Sequence, residues 1–248
     1  MTNLNFAKRM MLSLMLCLTT ASLFAAPKDS LRVTIFGDSY STFQGYLTPD
    51  TNNIYYFRAD SPRRIKKNDV TSVEQTWWYQ VIERLGAKLE RNNSYSGSTV
   101  GYTGYKNREG KHQDYSHNAF VTRSNFLGEP DLILICAATN DSWAGAEVGK
   151  YLYGNQTRQD LFTFRPAMAK MLGDIRQNYP MAKVVFILND VLRQDINESV
   201  HTICKHYDVP CIDLHGIDKQ DGHPSIKGMK TFADQVVEYL YKEKIVKK

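Results

Sequence analysis

Short apolar runs recur along the chain, separated by stretches in which apolar residues follow helical spacing. The two central runs, Leu132–Ile135 and Val184–Leu188, are continuous, which is typical of strands buried on both faces. Strands that alternate with helices indicate right-handed crossovers and a parallel sheet covered on both sides. The sequence therefore predicts an α/β protein, a three-layer α/β/α sandwich around a central parallel sheet.

The pattern gives approximate bounds for each element. Strands are predicted at Leu31–Gly37, Lys88–Asn93, Asp131–Thr139, Ala182–Asn189 and Val209–Leu214. Helices are predicted at Val73–Leu85, His117–Leu127, Leu161–Tyr179, Ile196–Tyr207 and Ser225–Tyr241. Two long loops, at about 44–72 and 101–116, fit neither pattern. Loops of this length in a compact domain are usually functional or disordered, and their many aromatic residues argue against disorder.

The first 26 residues differ from the rest. Lys8 and Arg9 precede a mostly apolar run, Met10–Phe24, and small residues follow at Ala25 and Ala26. This is the pattern of a secretory signal peptide, and the run is shorter than the ~20 residues that span a membrane. We therefore expect a signal peptide at 1–26, a single domain at 27–248 and a secreted or periplasmic protein without stable membrane insertion after cleavage.

Charge and cysteine content narrow the class of protein. Loss of Lys8 and Arg9 with the leader reduces the net charge from +5 to +3, which is too small to argue for nucleic-acid binding. Cys136 lies in an apolar run and is expected to be buried. Cys204 and Cys211 are candidates for a disulfide in an oxidising compartment, and their pairing is left open. No metal-ligand spacing is present, so neither a metal nor another cofactor is expected.

Four candidate catalytic residues lie at or just after the ends of predicted strands. They are Ser39 in Gly37-Asp38-Ser39, Gly97 in Ser96-Gly97, Asn140 in Thr139-Asn140-Asp141, and His223 in His223-Pro224. Ligands of open parallel sheets bind beyond the carboxyl ends of the strands, so these four residues are expected to converge. A serine hydroxyl needs a base to become nucleophilic, and a neutral imidazole suits that role.

In this order, the four motifs resemble those of the SGNH (GDSL-type) hydrolases, over nearly the whole mature chain. The resemblance implies a flavodoxin-like fold and a serine esterase that works through an acyl-serine intermediate. It also implies that Ser39 is the nucleophile and His223 the general base. The oxyanion hole would comprise the backbone N–H groups of Ser39 and Gly97 and the side-chain amide of Asn140.

The chain departs from the family pattern at two positions. The third motif usually begins with glycine, where this chain has Ala138. The acid of the triad usually lies three residues before the histidine, where this chain has Gln220. The favoured interpretation is that the Asp221 carboxylate orients His223; the alternatives are Asp218 or a backbone carbonyl, which would leave a serine–histidine dyad. His215 is a less favoured candidate for the base.

The substrate class is inferred from the loops. Tyrosines, tryptophans and arginines suit sugar rings and their hydroxyls, so the first expectation is hydrolysis of acyl esters, chiefly O-acetyl esters, on a carbohydrate. Tyr55, Arg58 and Trp78 are the candidate substrate-binding residues. One alternative is a lysophospholipase or short-chain acyl esterase, and another is a glycan-binding protein with impaired catalysis. The oligomeric state is left open.

Overall fold

The central element is a five-stranded parallel sheet. The structure, a computed structural model, describes residues 30–247. The five strands are β1 (Arg32–Gly37), β2 (Lys88–Asn92), β5 (Leu132–Ala137), β6 (Lys183–Leu188) and β7 (Cys211–Asp213). Their order is β2-β1-β5-β6-β7, and every neighbouring pair is parallel. The chain thus starts near the middle of the sheet, moves to one edge and returns, which is the flavodoxin-like order.

Helices cover both faces of this sheet. They are α1 (Trp77–Leu85), α2 (Phe120–Arg123), α3 (Thr139–Ala144), α4 (Phe164–Asn178), α5 (Gln194–His206) and α6 (Ile226–Lys242). Helices α2, α4 and α5 pack against one face, whereas α1 and α6 pack against the other. The predicted three-layer sandwich is therefore confirmed.

Two hydrophobic cores explain the continuous apolar runs. On β5, Ile133 and Ile135 point into the core with α4 and α5, while Leu132 and Leu134 point into the core with α1 and α6. Successive side chains of a strand alternate between faces, so a strand covered on both sides needs an apolar residue at every position. In the second core, Trp77 stacks on Phe232 of α6 with ring centroids 4.4 Å apart.

The predicted helix bounds are correct to within a few residues for three of the five helices. The segment predicted as one helix from Val73 divides into a 3₁₀ turn at Val73–Gln75 and α1. The segment His117–Leu127 contains only the four residues of α2. The short helix α3 was not predicted, because six residues are too few for a periodic pattern.

Two antiparallel hairpins were also not predicted. The strands β3 (Thr103–Lys106) and β4 (His112–Asp114) pair within the loop at 101–116. The strands β8 (Lys219–Gln220) and β9 (His223–Pro224) pair just before α6. Their residues are largely polar and show no apolar alternation, so the pattern that reveals buried strands gave no signal here.

Several expectations concern the termini and cysteines. The predicted signal peptide at 1–26 lies outside the described residues. No helix within residues 30–247 is long and apolar enough to cross a membrane. Cys136 is buried in β5, and Cys204 and Cys211 are both free thiols.

Candidate active site

Ser39 lies two residues after the end of β1, where the strand order of the sheet reverses between β1 and β5. It is the first residue of a 3₁₀ turn, Ser39–Ser41, which Asp38 caps by accepting the Tyr40 N–H at 3.0 Å. The N–H at the first position of such a turn has no partner within the turn, so that of Ser39 is available to a ligand. The strand and the cap together hold the Ser39 hydroxyl at the carboxyl edge of the sheet.

The β8–β9 hairpin brings His223 to this serine. Gln220 pairs with His223, and the two residues between them, Asp221 and Gly222, have φ of 52° and 74°. A two-residue hairpin loop with two positive φ values is a type I′ turn, for which Asp-Gly is a preferred sequence. The hairpin places His223 Nε2 2.9 Å from Ser39 Oγ.

The partner of the other ring nitrogen fixes the tautomer of His223. Its Nδ1 lies 3.0 Å from the backbone carbonyl oxygen of Asp221. A carbonyl accepts and cannot donate, so Nδ1 carries the proton and Nε2 is free to accept from Ser39 Oγ–H. The serine and histidine thus have the geometry of a nucleophile and its general base.

The expected contact between the Asp221 carboxylate and His223 is therefore corrected. The left-handed conformation of Asp221 turns its carbonyl toward the imidazole, while its carboxylate lies beside the Tyr55 hydroxyl. One carboxylate oxygen lies 4.0 Å from Lys67 Nζ. The geometry matches the alternative of a dyad oriented by the backbone.

The other candidate residues in this region are engaged elsewhere. Gln220 forms a reciprocal contact with Asp69: its Oε1 accepts the Asp69 N–H at 2.9 Å, and its Nε2 donates to Asp69 Oδ2 at 3.2 Å. The Asp218 carboxylate accepts from the Ser225 hydroxyl, which in turn caps α6. The backbone of His215 pairs with Gln235. None of the three occupies the position of a third triad member.

Asn140, the second residue of α3, is buried and held at both ends of its amide. Its Nδ2 donates to the Ser98 carbonyl at 3.0 Å, and its Oδ1 accepts from the Tyr105 hydroxyl at 2.7 Å. An amide nitrogen has two N–H groups, so one remains for a ligand. Gly97, with φ of 85°, exposes an N–H that has no hydrogen-bond partner among residues 30–247.

Three buried ionisable groups lie beneath the site. Burial raises the pKa of Asp38 to about 7 and that of Asp141 to about 7. Both Asp141 oxygens accept from the Val100 N–H, at 3.0 and 2.9 Å, which ties α3 to the segment after Gly97. Burial also lowers the pKa of Arg123 to about 9, and the charge of Asp38 opposes this shift. Asp38 and Asp141 thus hold the turns beside Ser39 and after Gly97, and Arg123 donates to the Asn93 carbonyl and to Ser98 Oγ on either side of Gly97.

The candidate substrate-binding residues occupy three different environments. Trp78 is fully buried in the core beside Tyr46, so the prediction that it lines the pocket is corrected. Tyr55 is only 9% exposed and stacks on the His223 ring with centroids 3.4 Å apart. Arg58 is exposed, and its backbone N–H donates to Gln44 Oε1.

Sequence reasoning missed Trp143. It lies on α3 one turn after Asn140, its side chain is 44% exposed, and its ring centroid is 6.0 Å from that of His223. Residues three apart on a helix share a face, so the spacing from Asn140 was the available signal, but it required knowing that α3 exists.

Burial is the main influence on the protonation of His223. It lowers the pKa of the imidazole below its ordinary value, while the Asp221 carbonyl opposes the shift. A base that is neutral at physiological pH is ready to accept a proton.

A second group of donor atoms lies apart from these residues. The ligand atoms of His201, Cys211 and Asp213 are within 4.8 Å of one another, and His201 Nε2 is 3.0 Å from Asp213 Oδ1. The three come from α5 and β7, so their linear spacing gave no metal-ligand motif.

The chain is similar to several known proteins. A family model described as GDSL-like lipase/acylhydrolase matches residues 31–240. Two proteins described as GDSL-like lipases, from Bacteroides ovatus and Bacteroides uniformis, are each 47% identical to it. The first has a TM-score of 0.82 over 87% of this chain and 100% of its own; the second has 0.81 over 87% and 97%.

More distant structures share the fold. An acetyl xylan esterase from Butyrivibrio proteoclasticus is 17% identical, with a TM-score of 0.53 over 88% of this chain and 65% of its own. A comparison with curated proteins finds no match.

Proposed function

Since the chain belongs to the GDSL-like lipase/acylhydrolase family and is an ester hydrolase, we propose that it removes O-acetyl groups from a carbohydrate outside the cytoplasm. In this proposal Ser39 is the nucleophile and His223 the general base. The N–H groups of Ser39 and Gly97 and the side chain of Asn140 form the oxyanion hole. The 2.9 Å contact between Ser39 Oγ and His223 Nε2 supports these roles.

The proposed reaction has two halves. Ser39 Oγ attacks the acyl carbon while its proton moves to His223 Nε2, and the carbonyl oxygen becomes an anion that the three donors bind. The anion collapses, the bond to the sugar oxygen breaks, and His223 returns the proton to that oxygen. A water molecule then loses a proton to His223 and attacks the acyl carbon. As this second anion collapses, the bond to Ser39 Oγ breaks, His223 returns the proton to that oxygen, and acetate leaves.

One observation carries the choice of substrate: the exposed indole of Trp143 lies beside His223, where the leaving alcohol would be. A flat aromatic surface suits the C–H face of a sugar ring, and the indole N–H can bind a hydroxyl. Ser39 and Asn140 are both nearly buried, and Tyr105 and Ser98 enclose the amide. A confined, largely polar surrounding suits a short acyl group such as acetyl.

The export proposal rests on residues 1–26, whose charged start, apolar run and small residues match a secretory leader. An extracellular or periplasmic enzyme would meet acetylated polysaccharides directly. Measuring the N-terminus of the mature protein and its cellular fraction tests this; an intact Met1 in the cytoplasmic fraction would contradict it.

The substrate proposal is tested with two series of esters. We expect p-nitrophenyl acetate to be cleaved faster than p-nitrophenyl octanoate, and acetate to be released from acetylated polysaccharides. Ser39→Ala should abolish both reactions. Trp143→Ala should reduce acetate release from polysaccharide far more than p-nitrophenyl acetate cleavage. Tyr153→Ala, which removes an exposed tyrosine that stacks on His206, is the matched control and should change neither.

Faster cleavage of the octanoate would contradict the proposal and favour a lysophospholipase or longer-chain esterase. Absence of turnover, together with failure of a fluorophosphonate to label Ser39, would favour a glycan-binding protein. If Trp143→Ala lost the same fraction of activity on both substrates, the indole would position the catalytic residues rather than bind the sugar.

A further inference from the structure

The rings of Tyr55 and His223 lie face to face. Their centroids are 3.4 Å apart and their planes differ by 9°, so the two rings overlap almost completely. Aromatic rings carry negative faces, and two neutral rings prefer an offset or edge-on arrangement. A cation over the same face is attracted by it. The stack therefore fits the imidazolium form of His223 better than the neutral form.

Other aromatic rings enclose the same imidazole. Tyr40 lies 5.3 Å from it and Trp143 6.0 Å, both by centroid, and Tyr56 presents an edge at 6.3 Å. These rings keep water away from the imidazole, which strengthens electrostatic interactions with it. Of the four, only Tyr55 presents its face in contact with the ring.

We propose that Tyr55 is a positioning residue that stabilises the imidazolium of His223 during acyl transfer, in place of the missing triad carboxylate. When the Ser39 proton moves to Nε2, the ring gains a full positive charge while Nδ1–H still donates to the uncharged Asp221 carbonyl. Within residues 30–247, no carboxylate contacts either nitrogen. The π face of Tyr55 contacts the ring that gains the new charge and attracts it, and this inference rests on the proposed roles of Ser39 and His223.

The chain fixes Tyr55 relative to the nucleophile. The Tyr55 N–H donates to Thr42 Oγ1 at 2.9 Å, and that hydroxyl donates to the Ser39 carbonyl at 3.0 Å. The Tyr56 hydroxyl donates to the Pro224 carbonyl at 2.9 Å, so the same loop also holds the hairpin with His223. The loop thus aligns the tyrosine, the histidine and the serine.

Charged groups around His223 have opposite effects on the stability of its imidazolium form. The Asp221 carboxylate favours the imidazolium and Lys219 opposes it. The phenols of Tyr40 and Tyr56 are buried, and burial raises the pKa of each, so both stay neutral near physiological pH. Burial and the neighbouring Asp221 carboxylate also raise the pKa of Tyr55, which keeps its ring neutral too.

The first experiment measures p-nitrophenyl acetate hydrolysis across pH for Tyr55→Leu, Tyr55→Phe and the matched control Tyr46→Leu. Tyr46 is in the same loop but packs on Trp78. We expect Tyr55→Leu to lower kcat about tenfold with little change in KM. The acid midpoint of kcat/KM should fall by up to about one unit, because the imidazolium is less stable. Tyr55→Phe should stay close to wild type, and Tyr46→Leu should leave the midpoint unchanged.

A second series of variants keeps the shape of the ring, so its result does not depend on whether Tyr55→Leu folds. Phenylalanines with increasing numbers of ring fluorines at position 55 keep the shape but weaken the negative face. The acid midpoint should fall stepwise with each fluorine. A midpoint that does not move across this series overturns the proposal, as does a loss in Tyr55→Phe equal to that in Tyr55→Leu. If Ser39→Ala retains wild-type hydrolysis, the assignment of the nucleophile fails instead, independently of the fluorine series.

Discussion

His223, the proposed base, is oriented by a peptide carbonyl, and a carbonyl differs from a carboxylate in carrying no net charge. It can select the tautomer of His223, but it attracts the imidazolium only weakly. Burial lowers the pKa of His223 further. In the proposed mechanism, residues around the ring, rather than the group bound to Nδ1, therefore compensate for the charge that appears during attack.

Asp221→Asn tests this arrangement at the residue scale. The variant keeps the backbone carbonyl, and asparagine tolerates the left-handed conformation that the turn requires. We expect kcat on p-nitrophenyl acetate to fall by less than about fivefold, compared with ~10⁴ where a triad aspartate is replaced by asparagine. A loss above 100-fold would show that the carboxylate reaches His223 during catalysis.

Tyr105→Phe tests the support of Asn140. The variant removes the hydroxyl that donates to Asn140 Oδ1 at 2.7 Å, which leaves a buried acceptor unpaired and frees the amide to rotate. We expect kcat to fall about tenfold with KM nearly unchanged, because the oxyanion donor matters chiefly in the transition state. Tyr115→Phe, on a neighbouring ring 6.4 Å away, is the control. A rise in KM alone would mean that Tyr105 binds substrate.

The position of a residue could be predicted where a side chain or backbone group suited to catalysis lies at the end of a predicted strand. The sequence predicted the approximate place of four such residues, because each follows a predicted strand or comes just before a predicted helix: Ser39, Gly97, Asn140 and His223. Their catalytic roles are proposals. The face of Tyr55 on His223 was not predictable in the same way. It depends on the path of a long loop and on a hairpin of two-residue strands, and neither leaves a periodic pattern.

At the scale of the element, helix α3 is preceded by a residue with an unusual backbone conformation. Ala138, the residue before this helix, has φ of 76°. A side chain with a Cβ is strained in this left-handed region, whereas glycine is not. This gives a physical reason for the glycine that is usual at this position in the SGNH (GDSL-type) pattern.

Ala138→Gly should therefore stabilise the protein. Relief of the strain, about 1–2 kcal/mol, is larger than the entropic cost of glycine, about 0.5–1 kcal/mol, so we expect a gain of up to about 1.5 kcal/mol in the free energy of unfolding. Ala137→Gly, in the regular strand β5, is the control and should destabilise. Urea denaturation of both variants measures the difference, and a loss of stability in Ala138→Gly would show that the Cβ contributes more through packing than it costs in strain.

The hairpin β8–β9 shows what a sequence can and cannot specify at the element scale. The pair Asp221-Gly222 is a turn signal, yet the flanking strands are too short to be recognised by alternation. Its position is set by tertiary contacts: Asn68 Nδ2 donates to the Gln220 and Pro224 carbonyls, and Tyr40 Oη donates to the Gly222 carbonyl. Such contacts join distant segments, so they appear only once the fold is known.

Across the whole molecule, the two buried carboxyls make stability depend on pH. Asp38 and Asp141 hold their protons up to about pH 7 in the folded state, whereas an unfolded aspartate releases its proton near 3.8. Between these values the folded state binds more protons, so the free energy of unfolding falls as pH rises. His223 has a lowered pKa and acts in the opposite direction just below its ordinary value of 6.5. The two carboxyl groups together change the free energy of unfolding more than the single imidazole does, so the net change follows the carboxyl groups.

We expect the free energy of unfolding to be lower at pH 7.5 than at pH 5. The loss should be about 1.4 kcal/mol per carboxyl group and pH unit up to about pH 7, less the opposing contribution of His223. Asp38→Asn should reduce this difference, because the variant has no proton to lose at that position and its Oδ1 can still accept the Tyr40 N–H. Asp60→Asn, at an exposed position, should leave the difference unchanged. Stability that rises steadily from pH 5 to pH 7.5 in wild type would contradict the assignment of raised pKa values.

Ser39 and His223 are 184 residues apart in the chain, although their side chains touch. In the proposed mechanism, a chain in which the β8–β9 hairpin is detached holds a nucleophile without a base. Hydrolytic activity would therefore report a long-range folding event: it would appear only in molecules whose hairpin has docked on the turn after the first strand.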